Sequence, residues 1–245
     1  MIEVFILSLI QGVTEFLPIS SSSHLILISD HLKFNNQNLS IDVSLHIGSF
    51  LAVIVYFKKE IANFITNKKL FFKIFLASTP TMVAGLILVK FNLIDQLRNI
   101  EVIGWTTIIF GVLLFFSDKF NINNDIKSSF TIKSAIFIGL MQILSLIPGT
   151  SRSGITITAA RFLKFNRVDS ATISFLFSIP TLAAVSFFGL KNIIDSGDIF
   201  FSFYNLISIL LSFFFSFLTI KYFLKYIKEF SMNIFVVYRL TIGIF

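Results

Sequence analysis

The chain contains no cysteine, which excludes disulfides and thiolate metal sites and leaves the redox compartment unmarked by that residue. Charge is also scarce, at 13% of the 245 residues against the ~25% usual for a soluble globular domain. Prolines number four, and each interrupts or borders an apolar run. No basic block with interleaved aromatics stands outside the apolar segments, so a nucleic-acid partner is not expected. Met1-Ile2-Glu3 offers no positive leader region, and no small-residue cleavage site follows, so a cleaved signal peptide is not expected either. The alternating strands of a membrane barrel are missing, since the apolar runs are long and unbroken.

What is present is 55% hydrophobic residue, 33 of them phenylalanine, with a mean hydropathy of +0.87. The fold class expected is an all-α polytopic membrane protein forming a single integral membrane domain over 1–245. The net charge of +7 reads as loop lysines facing a cytoplasmic leaflet. The phenylalanines signal lipid compatibility and little else.

Residues 2–17 are apolar but end at Pro18, and the chain is polar from Ser20 to His24 before a shorter apolar run over 25–32. Neither half reaches the ~20 residues that a span needs, so a re-entrant helix pair is expected. Spans are expected at 43–57, 70–91 and 101–117, followed by a polar connector over 117–129. The opening pattern then recurs: an apolar helix from Phe130 breaks at Pro148-Gly149 and a second ends near Leu163. Further spans are expected at 168–190, 199–220 and 230–245. Asp42 reads as a helix cap, Asp30 and His31 as solvated, Trp105 as an interfacial anchor, and Pro80 and Pro180 as kinks.

Lys58, Lys59, Lys68 and Lys69 mark one inside loop; Lys119, Lys127 and Lys133 mark a second. Arg161, Lys164 and Arg167 mark a third, and Lys221, Lys225 and Lys228 a fourth. Loops at 33–42, 92–100 and 191–198 are nearly balanced and belong outside. Alternation then holds only if 1–33 dips from outside and 130–165 from inside. The result is an inverted-topology repeat, 1–120 and 130–245, each half a re-entrant helix pair plus three transmembrane helices. Phe75-Leu-x-Ser-x-Pro80-Thr echoes Phe175-Leu-x-Ser-x-Pro180-Thr, and Gly12-x-x-Glu15 echoes Gly139-x-x-Gln142. The first echo joins helices of the same direction and different rank, so it also fits shared kink chemistry.

Two polar islands interrupt this greasy chain. The second, Pro148-Gly-Thr-Ser-Arg152-Ser-Gly154, is the more specific. Gly149 and Gly154 let successive N–H groups converge on an anion, and Thr150, Ser151 and Ser153 add hydroxyl donors. Arg152 supplies a fork matched to phosphate oxygens, and a helix from Ile155 would aim its first amides at the same spot. An arginine at depth costs ~2.5–3.5 kcal/mol on insertion scales, which weighs against a merely snorkelling role.

The first island is Gln11-Gly-Val-Thr-Glu15-Phe-Leu-Pro18-Ile-Ser20-Ser-Ser-Ser23-His24. Glu15 can act as general base or hold a divalent cation, Mg²⁺ or Ca²⁺, with Gln11 one turn earlier as a neutral co-ligand. His24 with one of Ser20, Ser21, Ser22 or Ser23 has the chemistry of a base and nucleophile. An interhelical hydrogen-bond cluster is the bland alternative. His46, a lone imidazole on an apolar helix, reads equally as a packing residue, and Arg239 in the last apolar run has no evident role. An anion grip, a carboxylate and a nucleophile in a membrane are the parts of phosphoryl transfer on a substrate with an apolar tail.

These motifs, with Leu45-His46-Ile-Gly48-Ser49-Phe-Leu-Ala52-Val and Tyr238-Arg239-x-x-x-Gly243, closely resemble the bacterial undecaprenyl-diphosphatase family, also called the bacitracin-resistance protein family. The similarity covers essentially the whole chain. It implies an inner-membrane hydrolase that removes the terminal phosphate of undecaprenyl diphosphate and recycles the lipid carrier for peptidoglycan synthesis. The active site would open to the periplasmic side. By motif position, Glu15 resembles the acidic residue tied to metal and catalysis, Ser21 the favoured nucleophile between Ser20 and Ser22, and His24 the catalytic histidine. Thr150, Ser151, Arg152 and Ser153 resemble the diphosphate grip, flanked by Gly149 and Gly154. Two departures matter: Gln11 removes one carboxylate from any scheme needing two, and Ser23 stands where many members have glycine. The implied partner is a polyprenyl diphosphate lipid in the membrane, with room for a homodimer. An inverted-repeat transporter or flippase for the same lipid is the competing reading.

Overall fold

A computed structural model describes the chain except residues 33–38, 67, 92, 94–96, 98, 121, 123, 196–202 and 245, and the side chains of 30 and 63–66. The expectation for Asp30, most of the loops at 33–42 and 92–100, and residues 196–198 of the loop at 191–198 lie outside the described residues; residues 191–195 continue the helix Arg167–Asp195. What is described is helical throughout, apart from one isolated bridge between Asn124 and Phe165. In chain order the helices are α1 Ile2–Thr14, α2 Ser21–Leu32, α3 Leu39–Tyr56, α4 Lys58–Thr66, α5 Lys68–Lys90 and α6 Ile100–Asp118. There follow α7 Ile126–Ser129, α8 Ile132–Gln142, a 3₁₀ turn Ile143–Leu146, α9 Arg152–Phe162, α10 Arg167–Asp195, α11 Phe203–Glu229 and α12 Asn233–Ile244.

Five of these, α3, α5, α6, α10 and α11, are long and apolar enough to cross a membrane. The last apolar segment differs from the expected span. α12 has 12 residues, roughly 18 Å at 1.5 Å per residue and short of the ~30 Å hydrocarbon thickness. α11 runs on to Glu229, so Lys221, Lys225 and Lys228 lie on its last turns and not in a loop. Lysine is a good helix former, and no proline or glycine stops the helix there. Asp42 sits in the first turn of α3, three residues inside its start, and not at the cap. Both expected helix breaks are present, between α1 and α2 and between α8 and α9.

The helices pack through small and hydroxyl residues, as expected where lipid removes the usual apolar driving force. α3 lies along α11 so closely that a Cβ on Gly48 would stand 2.4 Å from the Ile209 carbonyl oxygen. Ser49 Oγ reaches Ser212 Oγ at 3.1 Å and Ser216 Oγ at 2.9 Å across the same contact. α8 meets α5 at Gly139, where a Cβ would fall 1.9 Å from the Ala77 carbonyl oxygen. The phenylalanines do more than face lipid. Phe175 is wholly buried and holds the rings of Phe16, Phe57 and Phe223 at centroid distances of 5.3, 6.1 and 6.0 Å. Phe16 thereby anchors the chain immediately after Glu15, next to the first helix break.

At one end of the bundle, Asp118 collects the basic residues expected in the third loop. Arg167 forks onto both Asp118 oxygens, Nε to Oδ1 at 2.7 Å and Nη2 to Oδ2 at 2.9 Å. Arg161 is buried and donates to the carbonyls of Phe165, Asp118 and Phe120 at 2.5, 2.9 and 2.9 Å. The backbone N–H of Met232 donates to Asp118 Oδ2 at 3.2 Å. Arg161 and Arg167 therefore join α6, α9, α10 and the start of α12, and only Lys164 of the three lacks such a role in this clasp.

Candidate active site

The two islands meet. Each ends in a serine with a left-handed backbone, Ser20 at φ 72° and Ser151 at φ 68°, and each is followed at once by a helix. Such conformations cost non-glycine residues about 1–3 kcal/mol and cluster at functional sites. α9 begins at Arg152, earlier than the expected Ile155, because Ser151 caps it: its Oγ accepts from the Gly154 N–H at 3.1 Å. The preceding turn needs Gly149, at φ 90°, where a Cβ would fall 2.0 Å from Thr106 Oγ1. Thr106 in turn donates to the Pro148 carbonyl at 2.6 Å, fixing the second island against α6.

Glu15 is the centre of the geometry. Arg152 Nη2 donates to its Oε1 at 2.7 Å, across 137 residues of sequence. Its Oε2 accepts from Ser21 Oγ at 2.6 Å and from Gln11 Nε2 at 3.1 Å. Both charged side chains are largely buried, 13% exposed for Arg152 and 7% for Glu15, so each requires the other in this environment. The second guanidinium nitrogen, Arg152 Nη1, is buried without a hydrogen-bond partner. An unpaired charged donor in a dry wall is costly, and the natural partner for the open half of the fork is an anion.

Glu15, Ser21 and Arg152 line a chamber of about 200 Å³ together with Ser20, Ser22, Ser151 and His46, whereas Gln11 is buried behind Glu15. Thr81 and Thr181 reach it from α5 and α10. The remaining expected site residues stand behind the wall. Ser153 Oγ donates to the Leu17 carbonyl at 2.7 Å and so staples one island to the other. Thr150 is buried with its hydroxyl unpartnered, and Gly154 packs against Arg239.

The pair expected of Ser21 and His24 is not formed. Ser21 donates to Glu15, whereas His24 is buried outside the chamber's lining. Its Nδ1 is 2.6 Å from the Ser20 carbonyl oxygen and its Nε2 2.6 Å from the Tyr238 hydroxyl, with the two rings stacked. His24 lies three residues after Ser21 in α2, but both of its ring nitrogens are taken, one by the Ser20 carbonyl and one by Tyr238. The imidazole that does line the chamber is His46, on α3, with its Nδ1 2.8 Å from the Asp42 carbonyl oxygen.

Arg239 is the residue that sequence left unexplained. Its guanidinium is 1% exposed and faces four carbonyls. It donates to Thr107 at 3.1 Å, Pro18 at 3.1 Å, Gly149 at 2.9 Å and Thr150 at 3.1 Å. One side chain thus joins α12, α6 and both broken loops, and places a second cation one layer behind Arg152. The sequence signal was an arginine inside an apolar run; the partners are main-chain oxygens, which no side-chain pattern announces.

The bacitracin resistance protein BacA family model matches residues 4–245. The undecaprenyl-diphosphatase of Pelagibacter ubique is 48% identical over 245 residues, covering 99% of this chain and 95% of that protein. The undecaprenyl-diphosphatases of Aliivibrio salmonicida and of a Jannaschia species are 43% and 38% identical, each over 98% of this chain and 95% of their own length. With its paired polar islands matched end to end, this chain belongs to the bacitracin resistance protein BacA family.

Proposed function

We propose that this chain is a membrane lipid-diphosphate phosphatase that removes the terminal phosphate of undecaprenyl diphosphate. The monophosphate returned is the carrier for peptidoglycan synthesis, and its recycling confers bacitracin resistance. One observation carries the reading: Arg152 holds Glu15 with one guanidinium nitrogen and leaves the other buried without a hydrogen-bond partner, while Ser21 donates to the same carboxylate. In this proposal the terminal phosphate takes the free side of the fork, and Glu15 accepts the Ser21 proton. Ser21 Oγ attacks the terminal phosphorus, and the bond to the bridging oxygen breaks with its electron pair leaving on the polyprenyl phosphate. Glu15 passes that proton to the departing polyprenyl phosphate and, a carboxylate again, deprotonates the water that attacks the phosphoserine; the bond from phosphorus to Ser21 Oγ breaks, the serine takes the proton back, and phosphate is released. Arg152, with Arg239 behind it, offsets the charge that builds on the equatorial oxygens.

His24 serves as a positioning residue for the Ser20 turn, through its contact with the Ser20 carbonyl. A divalent cation belongs to the same proposal. Glu15 and Gln11, whose side-chain oxygen is buried without a partner, would hold a Mg²⁺ or Ca²⁺ that takes its other ligands from the diphosphate and water. No group of three His, Asp or Glu gathers among the described residues, so that donor set suits an ion carried in with the substrate better than an all-protein cage. Such an ion would supply charge neutralisation. The placement is a bacterial inner membrane, with the chamber opening to the periplasmic side in the orientation that the loop lysines favour. A homodimer would carry two complete sites, because the polar lining residues named above come from one chain.

The test is phosphate release from a polyprenyl diphosphate in detergent. Glu15→Gln and Arg152→Ala are expected to abolish it while each protein still purifies folded, and near-wild-type turnover in both would sink the assignment. Lipid translocation without phosphate release would favour the transporter reading instead.

A further inference from the structure

We propose that His46 holds the inner phosphate of the substrate, the one that departs with the isoprenoid tail. The inference rests on the lipid-diphosphate reading above and gives a task to the chamber imidazole which that reading leaves unused. Among the described lining residues, Arg152 and His46 are the two side chains able to carry positive charge. Arg152 is already half engaged, with one guanidinium nitrogen on Glu15 and one left open. A diphosphate brings two anionic groups to the chamber, and the open nitrogen answers one of them.

The packing of α3 fixes where this imidazole stands. Leu45, Gly48 and Ser49 face α11: the Leu45 carbonyl accepts from Ser212 Oγ at 2.7 Å, and Ser49 bonds to Ser212 and Ser216. Val43 seats against α10 at Gly189, where a Cβ would fall 2.4 Å from Val43 Cγ2. His46 follows Val43 by three residues and so shares that face of the helix. α10 in turn supplies Thr181, Leu182 and Val185 to the chamber.

The ring chemistry is equally defined. His46 Nδ1 is 2.8 Å from the Asp42 carbonyl oxygen, so that nitrogen carries a proton and donates it. Nε2 is the nitrogen left for a ligand, and it has no hydrogen-bond partner among the described residues. With Nδ1–H committed, the ring meets an anionic oxygen as an imidazolium, donating from Nε2. His24 is the contrast, since Ser20 and Tyr238 occupy both its nitrogens. Glu15, Arg152 and Ser21 form one bonded cluster, and the terminal phosphate belongs there, beside the serine hydroxyl. His46 acts on the Glu15 carboxylate by charge, yet among the described residues it pairs with no member of that cluster. Coming from a separate helix, it is placed for the phosphate one bridge further out. When the bridging bond breaks, negative charge collects on that inner phosphate, and a cation beside it stabilises the departing group.

His46→Ala and His46→Gln, each compared with the wild type for melting temperature, would be titrated in detergent with a fifteen-carbon isoprenyl monophosphate and with inorganic phosphate. The first carries the inner phosphate and tail that remain after cleavage; the second stands for the terminal phosphate. His46→Ala is expected to raise the Kd of the monophosphate about tenfold or more and to leave that of inorganic phosphate within about twofold. His46→Gln keeps a neutral donor of similar length and should fall between, and it carries the comparison alone if His46→Ala does not fold. Phosphate release from a fifteen-carbon diphosphate should decline in the same order. Equal weakening of both ligands, or an unchanged monophosphate affinity, would overturn the assignment. A wild-type protein that releases no phosphate yet binds the monophosphate through His46 would remove the hydrolytic reading and leave this contact standing.

Discussion

Replacing Arg239 with leucine would leave four carbonyl oxygens, those of Pro18, Thr107, Gly149 and Thr150, without the donor that now serves them. A buried polar group left unsatisfied costs about 1–3 kcal/mol. The Gly149 carbonyl keeps the Thr107 hydroxyl at 3.4 Å and the Thr107 carbonyl lies mid-helix, so the low end applied to the other two, Pro18 and Thr150, gives about 2 kcal/mol. That is a sizeable share of the ~5–15 kcal/mol by which folded domains are stable. For a chain of this size each kcal/mol shifts the melting temperature by about 2–4 °C, so a drop of about 4–8 °C is expected for Arg239→Leu. Arg239→Lys keeps the charge but replaces a planar fork by a point donor, and should fall between. Trp105, the chain's one tryptophan, sits on α6, two residues before the Thr107 whose carbonyl Arg239 engages, and its fluorescence in detergent reports the transition directly. Phosphate release measured well below the melting point should fall by more than the folded fraction does, because the two loops lose their common tie. Arg239→Leu melting with the wild type and keeping its turnover would refute this account of how the islands are held together.

Two further outcomes separate roles within the site. Ser21→Ala should reduce phosphate release by about a thousandfold or more, while His24→Ala should lose less. Because His24 acts through the Ser20 turn and Tyr238, the effects of His24→Ala and Tyr238→Phe should not add; additive losses in a double-mutant cycle would argue against a shared positioning role. Gly139→Ala would force a Cβ to within 1.9 Å of the Ala77 carbonyl oxygen and should separate α5 from α8. It should appear as a large loss of folded protein on size exclusion.

Membrane class, helical content and the position of both breaks were legible in the sequence, because lipid admits only internally satisfied helices and proline interrupts them at fixed places. The sequence also singled out Glu15 and Arg152, since ionisable groups in apolar sequence demand partners, and the two are paired. Contacts across the chain were legible only in outline. Two polar islands in so apolar a chain had reason to meet, and Glu15 and Arg152 pair across 137 residues of sequence, but nothing local announces which side-chain atoms do so. The choice between His24 and His46 as the imidazole facing the chamber depended on which face of α2 and α3 turns inward, and in all-round apolar helices the sequence carries no period that fixes it. Arg239 shows the same limit from the other side. Its residue type required buried partners, but carbonyl oxygens are common to every residue, so only the folded chain could select Pro18, Thr107, Gly149 and Thr150 among them.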